Sequence, residues 1–213
     1  MRIFKFVLFV LIGGGCFVTS AAGMRKSGVL AMKGNTFPLA VAAVLPSLAI
    51  PTTHPRNVSS PIHPTVLRRH YEHAAADKTA GEKFYKLLAD YKDRDALVLG
   101  YKAAAEAIRA RDASMFNKLT YVQDAARTFE QAVGLDPKNP EIRFLRFSVE
   151  SNLPAFLGLS KHVDEDKQLL LSAALSHPNS GLDTESFRTV RDFLVERGHV
   201  SDDDAQRLGR VKE

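Results

Sequence analysis

The stretch DAARTFEQAVGLDPKNP, residues 124–140, carries the pattern on which the fold turns. Ala125, Phe129 and Ala132 recur at i, i+4 and i+7, which places them on one stripe of an α-helix. Small, large, small is the order needed where a second helix lies close along the first: the alanines admit its backbone and Phe129 fills the space between them. Pro137 lacks an N–H and its ring crowds the preceding turn, so the helix stops at or before it. Asn139 followed by Pro140 then reads as a cap and a first helical turn, the restart of another helix.

The same spacing returns 41 positions later, at Asp166, Leu170, Ala173 and Pro178 in EDKQLLLSAALSHP. The first member has lost its small side chain. Together the two stretches resemble the second helix of a tetratricopeptide repeat, whose signature includes A-x3-F and a closing proline on a period of about 34 residues. The resemblance implies an all-α fold of antiparallel helical hairpins, TPR-like, with six to seven helices, whose first helices line a concave groove. Leu99-Gly100 matches the Leu-Gly of the family's first helix. The stretch from there to Ala125 is longer than the family allows, so the excess either extends the helix or forms a loop at Ser114–Thr120. The run PEIRFLRFSVESNLPAFLGLSKHVDEDK, residues 140–167, is also similar to a group of small exported bacterial helical proteins without assigned function, over residues 96–174.

Outward on the C-terminal side, residues 140–151 form a helix with little free surface: Ile142, Leu145 and Val149 face one way, and Phe144 and Phe147 widen the apolar side. Arg143 and Arg146 share the remaining face, with Glu150 four residues beyond Arg146 at ion-pair spacing. Arg146 stands where the repeat family has an apolar residue. If these arginines face a groove they are suited to hold a partner's carboxylate; the alternative is a face that is solvated or paired within the chain. Residues 152–161 are an apolar loop whose likeliest contacts are Phe156 and Leu157, turned either onto their own domain or onto a partner. His162 and the acids Asp164, Glu165 and Asp166 follow, the acids suiting a helix N-terminus. Leu182 and Phe187 form a staple around the cap Asp183, a helix runs through Phe193 and Leu194 to Gly198, and Ser201 caps a last polar helix fit to end a repeat stack.

Outward on the N-terminal side, residues 96–113 form the strongest helix, with Gly100 permitting a close crossing. Residues 83–92 form another, with Gly81 weakening its start. The folded domain is therefore set at residues 77–213. Residues 51–76, rich in Pro, Ser and Thr, read as a tether. His70 and His73 stand at i, i+3 without a third ligand. Residues 1–50 read as one or two export signals: Arg2 and Lys5 precede the apolar run 6–12 and a small-residue site at residues 20–22, and a second apolar run spans 37–50. The simplest account is translation from Met24 or Met32. Neither run reaches the roughly 18 apolar residues of a spanning helix, so contact with a membrane is expected only through an uncleaved leader.

Charge follows the same division. The chain has 29 Lys+Arg and 24 Asp+Glu, and residues 1–50 hold five of the bases and no acid, so the remainder is neutral. Nucleic-acid binding is not supported by that balance. Cys16, the one cysteine, lies in the leader, so a mature chain has neither disulfide nor thiol chemistry. Gly-rich phosphate loops, G-x-S-x-G and H-E-x-x-H are missing, and no cofactor or metal is expected. The expectation is an exported, periplasmic or envelope scaffold, not an enzyme, that binds a protein or peptide through Arg143, Arg146, Glu150, Phe156 and Leu157. The alternatives are an envelope hydrolase with a site near Arg143, Arg146 and His162, and a structural domain with no ligand.

Overall fold

The computed structural model describes residues 62–213, so the expected export signals at residues 1–50 and the first part of the expected tether lie outside the described residues. Among the described residues the fold is all-α: eight α-helices and no strand. They are α1 (Pro64–Ala76), α2 (Lys78–Ala89), α3 (Ala96–Asp112), α4 (Met115–Leu135), α5 (Pro140–Glu150), α6 (Val163–Leu175), α7 (Thr184–Glu196) and α8 (Asp202–Gly209).

The eight helices come close to the expected count of about six to seven, and α1 is the one that falls before the expected domain start. Its presence removes residues 64–76 from the tether. Pro64 occupies the first turn and the His63 ring accepts the Thr65 amide hydrogen bond, while Leu67, Tyr71, Ala74 and Ala75 are buried. Arg111 of α3 donates to the carbonyls of Ala74 and Ala75, tying the end of α1 into the domain. The helix starts earlier than the composition suggests because Leu67, Tyr71 and Ala74 supply an apolar stripe at i, i+4 and i+7. α2 likewise begins at Lys78, capped by Asp77, whose carboxylate accepts from the Ala80 amide. Gly81 lies inside it and is buried: a Cβ there would stand 2.9 Å from Cγ2 of Ile108, so glycine is what lets α2 approach α3.

Only residues 113 and 114 separate α3 from α4, and the two helices pack along each other. The excess sequence therefore lengthens α4, and no loop forms at residues 114–120. Ala125, Phe129 and Ala132 are all buried on that side. Gly100 of α3 admits Ile142 of α5, with its Cγ1 3.4 Å from the place of a Cβ. Asn139 caps α5 as its sequence indicates, accepting from the amides of Glu141 and Ile142. Asp183 and Ser201 cap α7 and α8, and Leu182 and Phe187 are buried around the first of these.

Each even helix touches the odd helix before it, and α2, α4 and α6 also touch the odd helix after them. α1 reaches α3, and α3 reaches α5. The apolar interior divides along α5, whose Ile142 packs with Leu99 and Ala132 in a small cluster of its own. Leu145 joins the core of α1, α2 and α3; Phe144 and Phe147 join the core of α6, α7 and α8, where both rings meet Phe193 edge-on at 5.4 and 5.8 Å. No described helix is long and apolar enough to cross a membrane.

Candidate functional site

Arg143 and Arg146 are the residues from which the sequence builds a carboxylate-binding groove. The carboxylate they hold belongs to their own chain. Asp166, fully buried at the start of α6, accepts from Arg146 through Nε at 2.7 Å and Nη2 at 2.8 Å, and from Arg143 Nη1 at 2.7 Å. Arg143 also donates to Glu165 at 2.6 Å and to the Pro137 carbonyl at 2.8 Å. Burial works against the Arg143 charge, and its bonds to Asp166 and Glu165 more than offset this, so its pKa is raised; the same contact lowers that of Glu165. With Arg146 only 2% exposed, neither guanidinium faces a groove. The two departures from the repeat pattern, Arg146 on α5 and Asp166 on α6, are each other's partners.

Glu150 is also engaged internally, and not with Arg146. Its carboxylate accepts from the His162 amide at 2.9 Å and meets His162 Nδ1 at 2.9 Å, while Nε2 of that ring faces Glu130 of α4 at 3.3 Å. This fastens the loop end to α5 and α4. His162 is thus held by Glu150 and Glu130, and the two arginines by Asp166. Within the loop, residues 155–157 make one 3-10 turn closed by Gly158 at φ +63°. Leu157 is half-buried, whereas Phe156 is 85% exposed, so the loop packs inward around its most apolar ring without covering it. His70 stacks on Phe84, His73 is exposed, and no described cluster of His, Cys, Asp or Glu is built to hold a metal.

The side chains that do converge are on the odd helices. A narrow cleft of ≈ 50 Å³ is walled by α1, α3, α5 and α7. Its apolar floor comes from Tyr71, Phe144, Leu145, Leu182 and Val190. Across it Arg68 of α1 makes a bidentate pair with Glu141 of α5, Nε to Oε1 at 2.8 Å and Nη2 to Oε2 at 2.6 Å, and its Nη1 donates to the α7 cap Asp183. The Tyr101 hydroxyl of α3 donates to the same Glu141 oxygen. Hydrogen bonding to Glu141 raises the Arg68 pKa above its ordinary value. Burial, then Glu141, pushes the Tyr101 phenol up, so it stays a donor. Burial opposes the Asp183 charge, but the Ser186 amide and Arg68 hold its carboxyl below the usual range. These are fixed charges with one orientation each.

The sequence reading missed this site because each of its four walls carries a polar group whose partner is far away in the chain; Arg68 and Asp183 are separated by 115 residues. The only local signal is the α1 stripe, which puts Arg68 one residue after the buried Leu67. A wider depression of ≈ 460 Å³ lies between the α2–α3 link and the end of α4. Its Lys102 amino group is committed to the carbonyls of Ala89 and Tyr91, so it fastens that link. The convergent polar groups over an apolar floor mark the narrower cleft as the candidate site.

The architecture and the cleft define an all-helical domain with a narrow cleft walled by alternate helices. No protein-family model, curated sequence or solved structure matches the chain.

Proposed function

We propose that the protein is an exported, non-enzymatic scaffold that holds a protein or peptide partner, and that α1, α3, α5 and α7 form the receiving face. The observation that carries this reading is the convergence of four alternate helices on one cleft whose polar groups are already oriented. Order of this kind lowers the entropy lost when a flexible partner docks. Neighbour contacts that run from helix to next helix, with α1 reaching α3 and α3 reaching α5, support reading α1/α2, α3/α4, α5/α6 and α7/α8 as four divergent repeat-type hairpins. Export rests on the leader pattern of residues 1–50.

This reading moves the partner-binding residues from Arg143, Arg146 and Glu150 to the cleft, and keeps Phe156 and Leu157 as an outlying contact. Site-specific photo-crosslinking in the native envelope tests it. A crosslinker at Glu185 on the cleft rim gives a discrete protein or peptide adduct, and one at Arg127, exposed on α4, does not. Equal labelling at both positions, or none at Glu185, refutes the assignment.

A further inference from the structure

The charge inside the cleft decides what kind of side chain it takes. An arginine in a groove ordinarily suggests an anionic ligand, but Arg68 is already committed at all three nitrogens, to Glu141 and to Asp183. One guanidinium thus faces two carboxylates before any ligand arrives. A partner's carboxylate must either displace one of them or sit against both. The rim adds two more: Glu72 of α1 and Glu185 of α7 line the cleft, and neither is among the ion-paired or hydrogen-bonded side chains of the described residues. Glu72 is half-buried and Glu185 exposed, so both remain hydrated in the free protein.

We infer that the cleft is a subsite for a lysine or arginine side chain of the partner, its aliphatic stem lying on Tyr71 and Leu145 and its cationic end held by Glu72 and Glu185. The inference rests on the peptide-binding reading above and adds the chemical class of the ligand. Three features agree on it. The floor is apolar, which suits the methylene stem of a basic residue and not a compact anion. The space, ≈ 50 Å³, admits about four or five heavy atoms, which fits a lysine side chain or the stem of an arginine whose guanidinium stays at the rim, since a water-sized centre takes about 10–15 Å³. The lining charges are Arg68 against Glu72, Glu141 and Glu185, so the field in the cleft favours a cation.

The test uses the full chain against a positional hexapeptide library with one fixed central residue: Lys, Arg, norleucine or Glu. Norleucine carries the stem without the charge. The Lys and Arg sets are expected to retain at least about fivefold more protein than the norleucine set, and the Glu set least. Glu72→Gln with Glu185→Gln should level the basic sets with norleucine; neither residue holds the fold together, and circular dichroism verifies that the variant is intact. Raising salt should shrink the preference, because rim charges are screened. Retention without preference for Lys and Arg over norleucine, or with preference for Glu, overturns the inference while peptide binding stands. No retention by any set overturns both.

Discussion

Asp166→Ala isolates the interaction that joins α5 to α6. The native carboxylate is fully buried and accepts three charged hydrogen bonds from two arginines. After its removal Arg143 keeps Glu165 at 2.6 Å and the Pro137 carbonyl at 2.8 Å. Arg146 keeps nothing closer than Glu165 at 3.9 Å. The loss therefore falls mainly on one stranded guanidinium, for which breaking a buried pair costs about 3–5 kcal/mol. At roughly 2–4 °C per kcal/mol for a domain of this size, the melting temperature should fall by about 6–20 °C. The double variant Arg146→Met with Asp166→Leu removes both charges and refills the space. It should recover to within about 1 kcal/mol of the native protein, because apolar replacement of a whole buried pair is often neutral or better. Urea unfolding followed by circular dichroism, with slopes compared to confirm a common two-state reference, measures both. If Asp166→Ala costs less than about 1 kcal/mol, or the double variant is as unstable as the single, the pair is not what orders α6 on α5.

Other outcomes follow from the packing and the titrating groups. Gly81→Ala should destabilise by about 1–3 kcal/mol by driving a methyl into Ile108, whereas Gly134→Ala in α4, where nothing lies within 4 Å, should stabilise by about 0.5–1 kcal/mol; paired urea titrations compare the signs. Burial raises the Glu106 pKa, offset in part by the Thr128 hydroxyl and Lys102. The unfolded chain therefore loses this proton first, so the group's contribution to stability falls as pH rises above the usual carboxylate range, and Glu106→Gln should melt higher than the native protein at neutral pH. His199 is lowered by burial, then by Lys167 and Arg197. It favours the folded state when neutral, and that contribution is lost as pH drops below about 6.5; His199→Gln should flatten the acid limb of a melting-temperature profile. A chain starting at residue 77 should fail to give a cooperative transition, while one starting at residue 62 unfolds in a single step.

Helix identity was legible in the sequence wherever an apolar stripe met a capping residue. Residues 96–112, 140–150 and 184–196 come out within a residue or two of their expected limits. α1 was obscured by the proline-rich composition running up to it, although Leu67, Tyr71 and Ala74 repeat the very spacing of Ala125, Phe129 and Ala132. At Gly81 composition misleads for another reason. Helix propensity counts a glycine as a weakness, whereas here the approach of Ile108 makes the missing Cβ an advantage. The site was less legible than the fold. That Arg143 and Arg146 share a helix face can be read from spacing. That Asp166 of another helix lies against that face cannot, since pairing across 20 residues depends on how the hairpin closes. The arginines' neutralisation and the Arg68 cleft are both products of tertiary contact.

Arg68 holds residues 73 and 115 positions further along the chain. The α3–α4 hairpin closes over a two-residue link and can assemble from local encounters, but the Arg68 clasp waits until Glu141 and the α7 cap have both emerged and docked. During synthesis α1 thus leaves the ribosome long before its last partner exists. Nascent chains halted ahead of residue 183 should carry α1 only loosely seated and be cleaved readily after Arg68 and Arg69, and that vulnerability should vanish once α7 is out.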